Sequence, residues 1–377
     1  MSMYKDKKRR VFVLGAGASK HATRNLDIPI PLAREFFKSE YVNTIQNSSH
    51  LKDYCFYNSS LNKFIQGFFN VKSKKKFSNK KYHTDIDSDV NIEEVYSFLE
   101  FIEQGDYYFH DEISLVNKAK KELLQFLFNV LEEYHYQQFD RELYENISKS
   151  LTEADTIITY NWDCIIESVL NETKIGKKTL NNTYNLLVPI QSNKNLDFYD
   201  YAFNNYHKPY FLKLHGSINW YNCKDKSCVR HTIPAVFNID GDFHGNLWTC
   251  DYCGSLLNLM IIPPHAHKSY RTNRVFSLQA KIASDKLQNA DEIIIIGYSF
   301  PDFDFEANSL FRRAIIEYGD LNWYKNSKKI ITIVNPEINS PQYIDKVCNL
   351  FSLNKKERKN LKTFESIDNF NKNYTWK

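Results

Sequence analysis

Four cysteines in the second half of the chain have the residue type and spacing of a metal site. They form two pairs, Cys223 with Cys228 and Cys250 with Cys253, and 21 residues lie between the pairs. Two such pairs of thiolates make a tetrahedral zinc site, and because the protein supplies all four ligands, the metal would be structural rather than catalytic. The four-residue gap in the first pair is wider than the usual two, so two unmetallated cysteine pairs stand as the alternative.

A short apolar run near the start of the chain ends in a glycine-rich turn. The run Val11–Leu14 is typical of a buried strand. The small residues that follow it are Gly15, Ala16, Gly17 and Ser19. Glycines let the backbone approach a pyrophosphate, and the first amides of the next helix are donors for phosphate oxygens. The full dinucleotide fingerprint requires a third glycine where this chain has Lys20, so the turn indicates a nucleotide site of another pattern.

Polar and small residues also follow the other predicted strands. These strands are apolar runs at 154–160, 210–214, 259–262, 293–296 and 330–334. The residues after them that can bind a ligand or move a proton are Asn161, Asp163, His215, Gly297, Ser299 and Asn335. Ligands of open α/β sheets bind outside the carboxyl ends of the strands, so we expect these residues to converge with the glycine turn on one site.

Four of these residues also have an ordinary structural interpretation. Asn161 and Asp163 follow a strand and precede a predicted helix, where either could serve as a helix cap. His215 could be a histidine in a turn, and Ser299 could cap the helix that follows it.

The elements that must position these residues alternate between strands and helices. Residues 32–41 carry apolar groups at helical spacing and are predicted to form the helix after the glycine turn. Asn91 opens a capping box at the start of a second helix, and 118–135 and 144–151 are further helices. We therefore predict a mostly helical module, residues 42–150, inserted after the first strand and helix.

A lysine-rich segment lies inside this module. The segment 72–81 has six lysines in ten residues and cannot bury itself. It is predicted to be a solvated insertion, with a surface that meets a polyanion or an acidic partner as the alternative.

The pattern as a whole predicts an α/β fold, with a Rossmann-like parallel sheet, the inserted helical module and a small zinc module. The Rossmann-like domain would comprise residues 1–41, 151–222 and 255–377, and the zinc module residues 223–254.

Composition excludes several classes of protein. The chain has 377 residues, 42% hydrophobic and 25% charged, which is typical of a globular protein with a sizeable core. A formal charge of +4 is too small to indicate nucleic acid as the main partner, although direct nucleic-acid binding stays open. We found neither a signal-peptide core nor a membrane-spanning run, so we expect a cytoplasmic protein without membrane contact. The 25 tyrosines and 27 phenylalanines are compatible with a homo-oligomer interface or with an aromatic core.

Taken in order, the motifs resemble those of sirtuins. The glycine turn, Thr159–Asp163, Leu214–Ser217, the four cysteines, Gly297–Ser299 and Asn335 follow one another as in that family. The likeness spans residues 11–336 apart from the helical insertion. Sirtuins consume NAD⁺ by cutting the bond between nicotinamide and ribose.

The resemblance implies where NAD⁺ would lie. The residues on its pyrophosphate would be Gly15, Ala16, Gly17 and Ser19. The residues at its adenosine half would be Gly297, Ser299 and Asn335.

The resemblance also implies roles in catalysis. Asn161 and Asp163 would lie near the nicotinamide ribose, and His215 would be the base that acts on a ribose hydroxyl. The chemistry is reasonable on its own terms, because an amide can position an attacking water, a carboxylate can stabilise a cationic sugar, and an imidazole can exchange a proton.

Two departures distinguish this chain from the protein deacylases of the family. Those enzymes carry a glycine–isoleucine–proline–aspartate–phenylalanine–arginine stretch after the phosphate glycines and a phenylalanine–glycine–glutamate sequence after the cysteines, and both shape the acyl-lysine channel. This chain has Ile28–Arg34 and Leu257–Pro264 at these places. It is similar instead to divergent sirtuin-like domains of bacterial antiphage systems, which hydrolyse NAD⁺ outright and in some cases pair with a HerA-type hexameric ATPase.

We therefore expect an NAD⁺ hydrolase that depletes NAD⁺ as an antiphage effector, with NAD⁺ as substrate and a structural Zn²⁺. A constantly active enzyme would destroy the NAD⁺ of its own cell, so we also expect a homo-oligomer controlled by a HerA-type ATPase or another phage-sensing protein that binds residues 42–150. The alternatives are an NAD-dependent protein deacylase and a non-catalytic module that senses NAD⁺ or an ADP-ribose derivative.

Overall fold

The computed structural model describes most of the chain. The described residues are 8–47, 56–69, 71–78, 81–86, 89–105, 110–135, 137–172, 208–232, 234–236, 249–250, 252–262, 270, 273–302, 304–319, 322–325 and 329–376. Their strands are β1 (Arg10–Leu14), β2 (Ser73–Ser78), β3 (Lys81–Ile86), β4 (Thr156–Thr159), β5 (Tyr210–Lys213), β6 (Gly216–Cys223), β7 (Ala235–Val236), β8 (Leu257–Ile261), β9 (Glu292–Ile296), β10 (Ile316–Gly319), β11 (Asn322–Lys325), β12 (Ile330–Val334) and β13 (Leu361–Phe364). Their helices are α1 (Ala16–Ala22), α2 (Ser39–Asn47), α3 (Ser60–Phe68), α4 (Ile92–Gln104), α5 (His110–Glu133), α6 (Glu142–Ser150), α7 (Ile165–Glu172), α8 (Val229–Thr232), α9 (Arg274–Asn289), α10 (Phe305–Arg313), α11 (Pro341–Leu350) and α12 (Ile367–Asn373).

Six of the strands form one parallel sheet in the order β13-β12-β9-β1-β4-β5. Both faces of its central strands are covered, since alternate residues of β1 belong to two different apolar clusters. This explains why β1 and β9 are apolar at nearly every position. The α/β fold with a parallel sheet is therefore confirmed. Leu14 pairs with Thr159, which pairs with Lys213, so the carboxyl ends of β1, β4 and β5 lie side by side.

Strand β8 does not belong to this sheet, and the prediction for residues 259–262 is wrong in that respect. It pairs antiparallel with β6, and β7 flanks the other side of β6 in a separate three-stranded sheet. The chain enters β6 through Gly216, whose φ is +77° and whose Cβ, if present, would lie 2.1 Å from the carbonyl oxygen of Met260. A short apolar run such as 259–262 has the same pattern in either sheet, so the sequence did not separate them.

The helix predicted for residues 32–41 is also wrong. Helix α1 follows Gly15 directly, and turns occupy the chain from 32 until α2 begins. The prolines of the preceding segment lack an amide donor, which prevents a longer helix. The carbonyl oxygen of Pro29 instead accepts hydrogen bonds from the hydroxyls of Tyr41, at 2.9 Å, and Tyr134, at 3.2 Å.

Between α1 and β4 the chain forms α2 to α6 and a hairpin of β2 and β3. Asn91 caps α4 as predicted, because its side-chain oxygen accepts from the amide of Glu93 at 2.9 Å, and the helix ends before Gly105. The hairpin includes most of the lysine-rich segment, which we predicted to be a solvated insertion. Lys72 and Lys74 are exposed there, which keeps these charges in solvent.

The insertion shares its apolar core with one face of the sheet. Phe12 of β1 belongs to the same cluster as Phe37 and Phe126, whose rings stack at 5.7 Å. A second cluster on the other face packs β9 and β12 against α9, α10 and α11. Within the described part of the chain, no helix is long and apolar enough to span a membrane.

Candidate active site and cysteine cluster

A cavity of about 80 Å³ lies at the carboxyl ends of β1, β4 and β5. The predicted catalytic residues Asn161, Asp163 and His215 all line it, together with Ala16 and Ser19 of the glycine turn. The convergence follows from the sheet order, because these residues come directly after three neighbouring strands. The structure therefore brings together five of the residues that the sequence singled out.

The side-chain amide of Asn161 ties the ends of β1 and β4 together. Its nitrogen donates to the carbonyl oxygen of Gly15 at 3.0 Å and to the hydroxyl of Ser19 at 2.9 Å. Since the Gly15 carbonyl can only accept, the amide nitrogen must face it. The amide oxygen is thereby turned away from these two partners.

Ser19 is nearly completely buried, and its hydroxyl connects the other side chains of this region. It accepts from Asn161, contacts the Asp163 carboxyl and lies 3.4 Å from the hydroxyl of Tyr144. These contacts suit a residue that holds the two strand ends in place.

Asp163 is buried beside a lysine. Burial raises the pKa of the Asp163 carboxyl, and the Lys213 charge, the amide of Ile165 and the Ser19 hydroxyl oppose that shift. Lys213 donates to the backbone carbonyl of Asp163 at 2.6 Å and forms an ion pair with Glu167. The carboxylates of Glu167 and Asp163 hold the pKa of Lys213 above its ordinary value against the effect of burial. A buried positive charge thus lies directly behind the loop that carries Asn161 and Asp163.

His215 is buried and contacts the carboxyl of Asp304, which lies before α10. Its Nε2 lies 3.2 Å from Oδ2 of Asp304, which also accepts from the hydroxyl of Tyr298 at 2.9 Å. The imidazole packs edge-to-face on the ring of Tyr160, with centroids 4.9 Å apart. Tyr160 in turn stacks on Tyr298 at 4.6 Å.

These two tyrosines remain neutral donors. Burial, followed by the charge of Asp304, raises the pKa of Tyr160 and of Tyr298 well above the ordinary value. Tyr160 is one of the residues that line the cavity, and its buried hydroxyl has no hydrogen-bond partner among the described residues.

The glycines of the first turn pack against a glycine at the end of β9. The amide of Gly15 donates to the carbonyl of Ile296 at 3.0 Å, and that of Gly17 donates to the carbonyl of Gly297 at 2.9 Å. A Cβ on Gly15 would lie 2.5 Å from the Gly297 oxygen, and one on Gly17 would lie 2.9 Å from the Gly297 Cα. Gly297 has φ of +64°, so glycine is required there on both conformational and steric grounds.

The residues predicted to contact adenosine lie beside this turn and do not line the cavity. Ser299 is exposed just after β9. Asn335 lies just after β12. Its side-chain nitrogen donates to the carbonyl of Tyr298 at 3.3 Å, and its side-chain oxygen accepts from the amide of Glu337 at 2.9 Å. Asn335 is therefore already engaged in holding the backbone of this edge.

The helical insertion forms part of the cavity wall. Ile92 and Glu93 at the start of α4 and Leu131 of α5 line the cavity together with Asn161. The amide of Ile92 donates to the carbonyl of Ala33 at 2.9 Å, which fixes α4 to the loop that forms the rest of this wall. The apolar residues of that loop in the cavity are Ile30, Pro31, Ala33 and Phe36.

The four predicted metal ligands come together at one point. The sulfur of Cys223 lies 3.4 Å from that of Cys253, the sulfur of Cys228 lies 3.7 Å from that of Cys250, and all four lie within 4.8 Å of one another. A zinc ion with bonds of about 2.3 Å in tetrahedral geometry separates its sulfurs by about 3.8 Å, so the cluster could hold zinc. None of the four is in a disulfide.

Two tight turns bring these cysteines together. Between Cys223 and α8 the chain turns so that the amide of Cys228 donates to the carbonyl of Asp225 at 3.1 Å. In the second turn, the amide of Gly254 donates to the carbonyl of Cys250 at 2.9 Å, and Gly254 has φ of +73°. The wider gap of the first pair is thus accommodated by an ordinary turn.

Sequence reasoning missed the groups that support the predicted residues. These are Lys213, Glu167, Asp304, Tyr160 and Tyr298. The sequence signal for Asp304 was its place immediately before a helix, where aspartate is a common cap, and its Oδ1 indeed accepts from the amide of Ala307 at 3.2 Å.

Solved structures similar to this chain are Sir2 homologues. The chain is similar to a Sir2 homologue in complex with NAD, at 14% identity and a TM-score of 0.38 over 94% of this chain and 91% of that chain. It is also similar to a serine-to-alanine variant of a Sir2 homologue with ADP-ribose, at 14% identity and a TM-score of 0.34 over 93% and 95%. A third is a histidine-to-tyrosine variant of Sir2 with NAD and a p53 peptide, at 11% identity and a TM-score of 0.32 over 92% and 93%. No protein-family model and no curated protein matches the chain.

Proposed function

We propose that this chain cleaves the bond between nicotinamide and ribose in NAD⁺ and releases nicotinamide and ADP-ribose. The observation that carries the proposal is the cavity that is lined together by Asn161, Asp163 and His215, which carry an amide, a carboxyl and an imidazole. The three groups supply the kinds of assistance that such a cleavage needs.

The reaction breaks the bond between C1′ of the ribose and the pyridinium nitrogen. The electron pair goes to that nitrogen, which becomes neutral, and C1′ develops positive charge. Water then forms a bond to C1′ and loses a proton. The protein must therefore stabilise a cation, position a water and accept a proton.

Each of these three requirements could be met by one residue of the cavity. Asp163 would stabilise the positive ribose carbon, and burial strengthens that interaction because little water screens it. The oxygen of the Asn161 amide would position the attacking water, since the nitrogen is held by Gly15 and Ser19. His215 would accept the proton, either from the water or through a ribose hydroxyl.

The rest of the dinucleotide would lie outside this cavity, because Gly297, Ser299 and Asn335, which we expect at its adenosine half, do not line it. The contact between Gly17 and Gly297 presents backbone without side chains at the adjoining strand ends, and a pyrophosphate could approach it closely. We place the pyrophosphate along Gly15, Ala16 and Gly17, and the adenosine half at the ends of β9 and β12.

The wall of the cavity bears on whether water or a peptide is the acceptor. It includes Ile92, Glu93 and Leu131 of the helical insertion and Ile30 and Pro31 of the loop after α1. The chain also lacks the two sequence stretches that shape the acyl-lysine channel of the deacylases, whereas hydrolysis needs only a water molecule at the ribose. We therefore favour NAD⁺ hydrolase over protein deacylase.

The deciding experiment incubates the full-length protein with NAD⁺ alone, without acylated peptide, and separates the products by chromatography. Nicotinamide and ADP-ribose in equal amounts are the expected result. Binding of NAD⁺ by calorimetry without any product would contradict the proposal and favour a sensing module, and turnover that requires an acylated peptide would favour a deacylase.

We further propose that the four clustered cysteines hold a structural zinc ion. The sulfur separations support this assignment, and so does the absence of disulfides among these four residues. All four positions of the metal would be filled by protein, so zinc would stabilise the β6–β8 unit and would take no part in the cleavage.

In the cell, we propose that this activity depletes NAD⁺ as an antiphage effector, in a homo-oligomer whose output a second protein controls. The insertion supplies part of the cavity wall, so a protein that binds α4 or α5 would act on the site directly. A HerA-type ATPase is the first candidate to test. Turnover measured against protein concentration, with and without that partner, should rise with assembly, and equal turnover in a dilute monomer would reject the control mechanism.

A further inference from the structure

Asp304 occupies a place that ordinary helix capping does not explain. It is fully buried and lies directly before α10, in the segment that follows β9. This segment contains Phe300 in the left-handed region, with φ of +52°, which is a strained conformation for a large side chain. The strain is held by packing, since the Phe300 ring contacts Phe311 at 5.2 Å and Tyr298 at 5.1 Å.

The two carboxylate oxygens of Asp304 have different partners. Oδ1 accepts from the amide of Ala307 at the start of α10. Oδ2 accepts from the hydroxyl of Tyr298 and faces Nε2 of His215 at 3.2 Å. A helix cap needs only Oδ1, whereas Oδ2 contacts the imidazole.

We propose that Asp304 is a positioning residue that holds the proton of His215 on Nε2 and so makes Nδ1 the basic nitrogen. A carboxylate can only accept a hydrogen bond, so the nitrogen that faces it carries the proton. The same contact stabilises the positive imidazolium that forms when Nδ1 takes up a proton. This role rests on the proposed function, because it matters only if His215 acts as a base.

The surroundings keep the imidazole in one orientation. The ring lies edge-to-face on Tyr160, and the backbone carbonyl of His215 accepts from the amide of Ile262 at 2.7 Å, which fixes the backbone that carries the ring. The hydroxyl of Tyr298 donates to Oδ2 of Asp304, the oxygen that also faces His215. A rotation of the ring would therefore disturb its contacts with Tyr160 and with Asp304.

The decisive variant is Asp304→Asn, with Asp302→Asn as its matched control. Asparagine keeps the oxygen that caps α10, so its amide nitrogen takes the place that faces His215, and this donor would force the proton onto Nδ1. Asp302 lies two residues away, is exposed and contacts Lys346 at 2.8 Å. Both variants remove one negative charge from the same segment, and only the first touches the imidazole.

Nuclear magnetic resonance of the ¹⁵N-labelled histidine ring reads the proton position without any need for activity. We expect the wild-type His215 to carry its proton on Nε2, Asp304→Asn to move it to Nδ1, and Asp302→Asn to leave it unchanged. A wild-type protein with the proton on Nδ1 would overturn the proposal even if no variant folds. An unchanged proton position in folded Asp304→Asn would overturn it as well.

Kinetics supply the second readout. We expect Asp304→Asn to lower kcat for NAD⁺ cleavage about 10²–10⁴-fold while the affinity for ADP-ribose changes little. An equal loss in Asp302→Asn, or normal kcat in Asp304→Asn, would reject the role. If the wild-type protein fails to cleave NAD⁺, the proposed function is wrong, and the resonance data still decide whether Asp304 sets the imidazole proton.

Discussion

The amide of Gly17 donates a hydrogen bond to the carbonyl oxygen of Gly297, 2.9 Å away, with no side chain between the two backbones. The contact joins the turn after β1 to the turn after β9, which are neighbours in the sheet. Residues 280 positions apart thus form one surface at the edge where we place the pyrophosphate.

This contact makes Gly297 intolerant of any side chain. In Gly297→Ala the new methyl group would lie 2.3 Å from the amide nitrogen of Ala18 at a φ of +64°, so we expect a loss of several kcal/mol, which is a large part of the stability of a typical domain. Gly67→Ala is the matched control, because Gly67 is exposed in α3 with no atom near its Cβ position. The control should be neutral or gain about 0.5–1 kcal/mol. Chemical denaturation of both variants checks this, and equal stabilities would show that the two turns separate easily.

Replacement of either Asn161 or His215 by alanine should abolish NAD⁺ cleavage. We expect kcat to fall about 10²–10⁴-fold in each variant, because each loses one positioned group. Circular dichroism and thermal unfolding establish that the variants fold, and chromatography measures nicotinamide. Near-normal turnover by a folded variant would remove that residue from the mechanism.

The variant Cys250→Ser should lose zinc and much of its folded population, because binding of a structural metal contributes directly to folding. Cys348→Ser is the control, since Cys348 is buried in α11 away from the cluster. It should keep the full metal content. Elemental analysis of the purified proteins measures zinc, and a folded wild-type protein without zinc, even when grown with the metal, would reject the assignment.

The stability of the protein should respond to Glu132 in a pH-dependent way. Burial, with a smaller contribution from Glu133, raises the pKa of Glu132 from 4.5 to about 7. Between these values the folded state keeps a proton that the unfolded state has lost, so the free energy of unfolding falls as the pH rises through this window. Glu132→Gln should therefore raise the melting temperature more at pH 8 than at pH 5.

Glu145 of α6 is a suitable control, because its pKa is shifted in the opposite direction. The hydrogen bond from Lys149 lowers the pKa of Glu145, so the charged form of Glu145 is favoured in the folded protein and Glu145→Gln should give no gain at pH 8. Thermal unfolding at the two pH values compares them. The same shift for Glu132→Gln at both pH values would show that Glu132 is not protonated in the folded state near neutral pH.

The parallel sheet was predictable because its central strands are short apolar runs that end at small or polar residues. Four runs that follow the first one gave β4, β5, β9 and β12, and the residues after β1, β4 and β5 indeed share a cavity. Strand β13 escaped prediction because two of its four residues are exposed, as suits the edge of a sheet. The sequence gives local pattern, and the partner of β8 depends on a reversal at Gly216 that no local pattern reveals.

The supporting residues of the site were harder to foresee. Lys213 lies inside an apolar strand, and a lone lysine is not expected to be buried. Its burial is explained by Glu167, 46 residues earlier, which forms an ion pair with it. Asp304 contacts His215 from a segment in which Phe300 adopts a left-handed backbone, a conformation that phenylalanine does not predict. Both depend on contacts between residues far apart in sequence.

The hydrogen bond between Ile92 and Ala33 limits how the helical insertion can be exchanged between proteins of this architecture. The start of α4 and the loop after α1 are built as one piece, and the same loop is held at Pro29 by hydroxyls from α2 and from Tyr134, just after α5. A chimaera that grafts a foreign helical insertion onto this sheet must therefore carry residues 28–36 with it. A graft cut at the ends of the helices alone would separate the loop from the helices against which it is fitted.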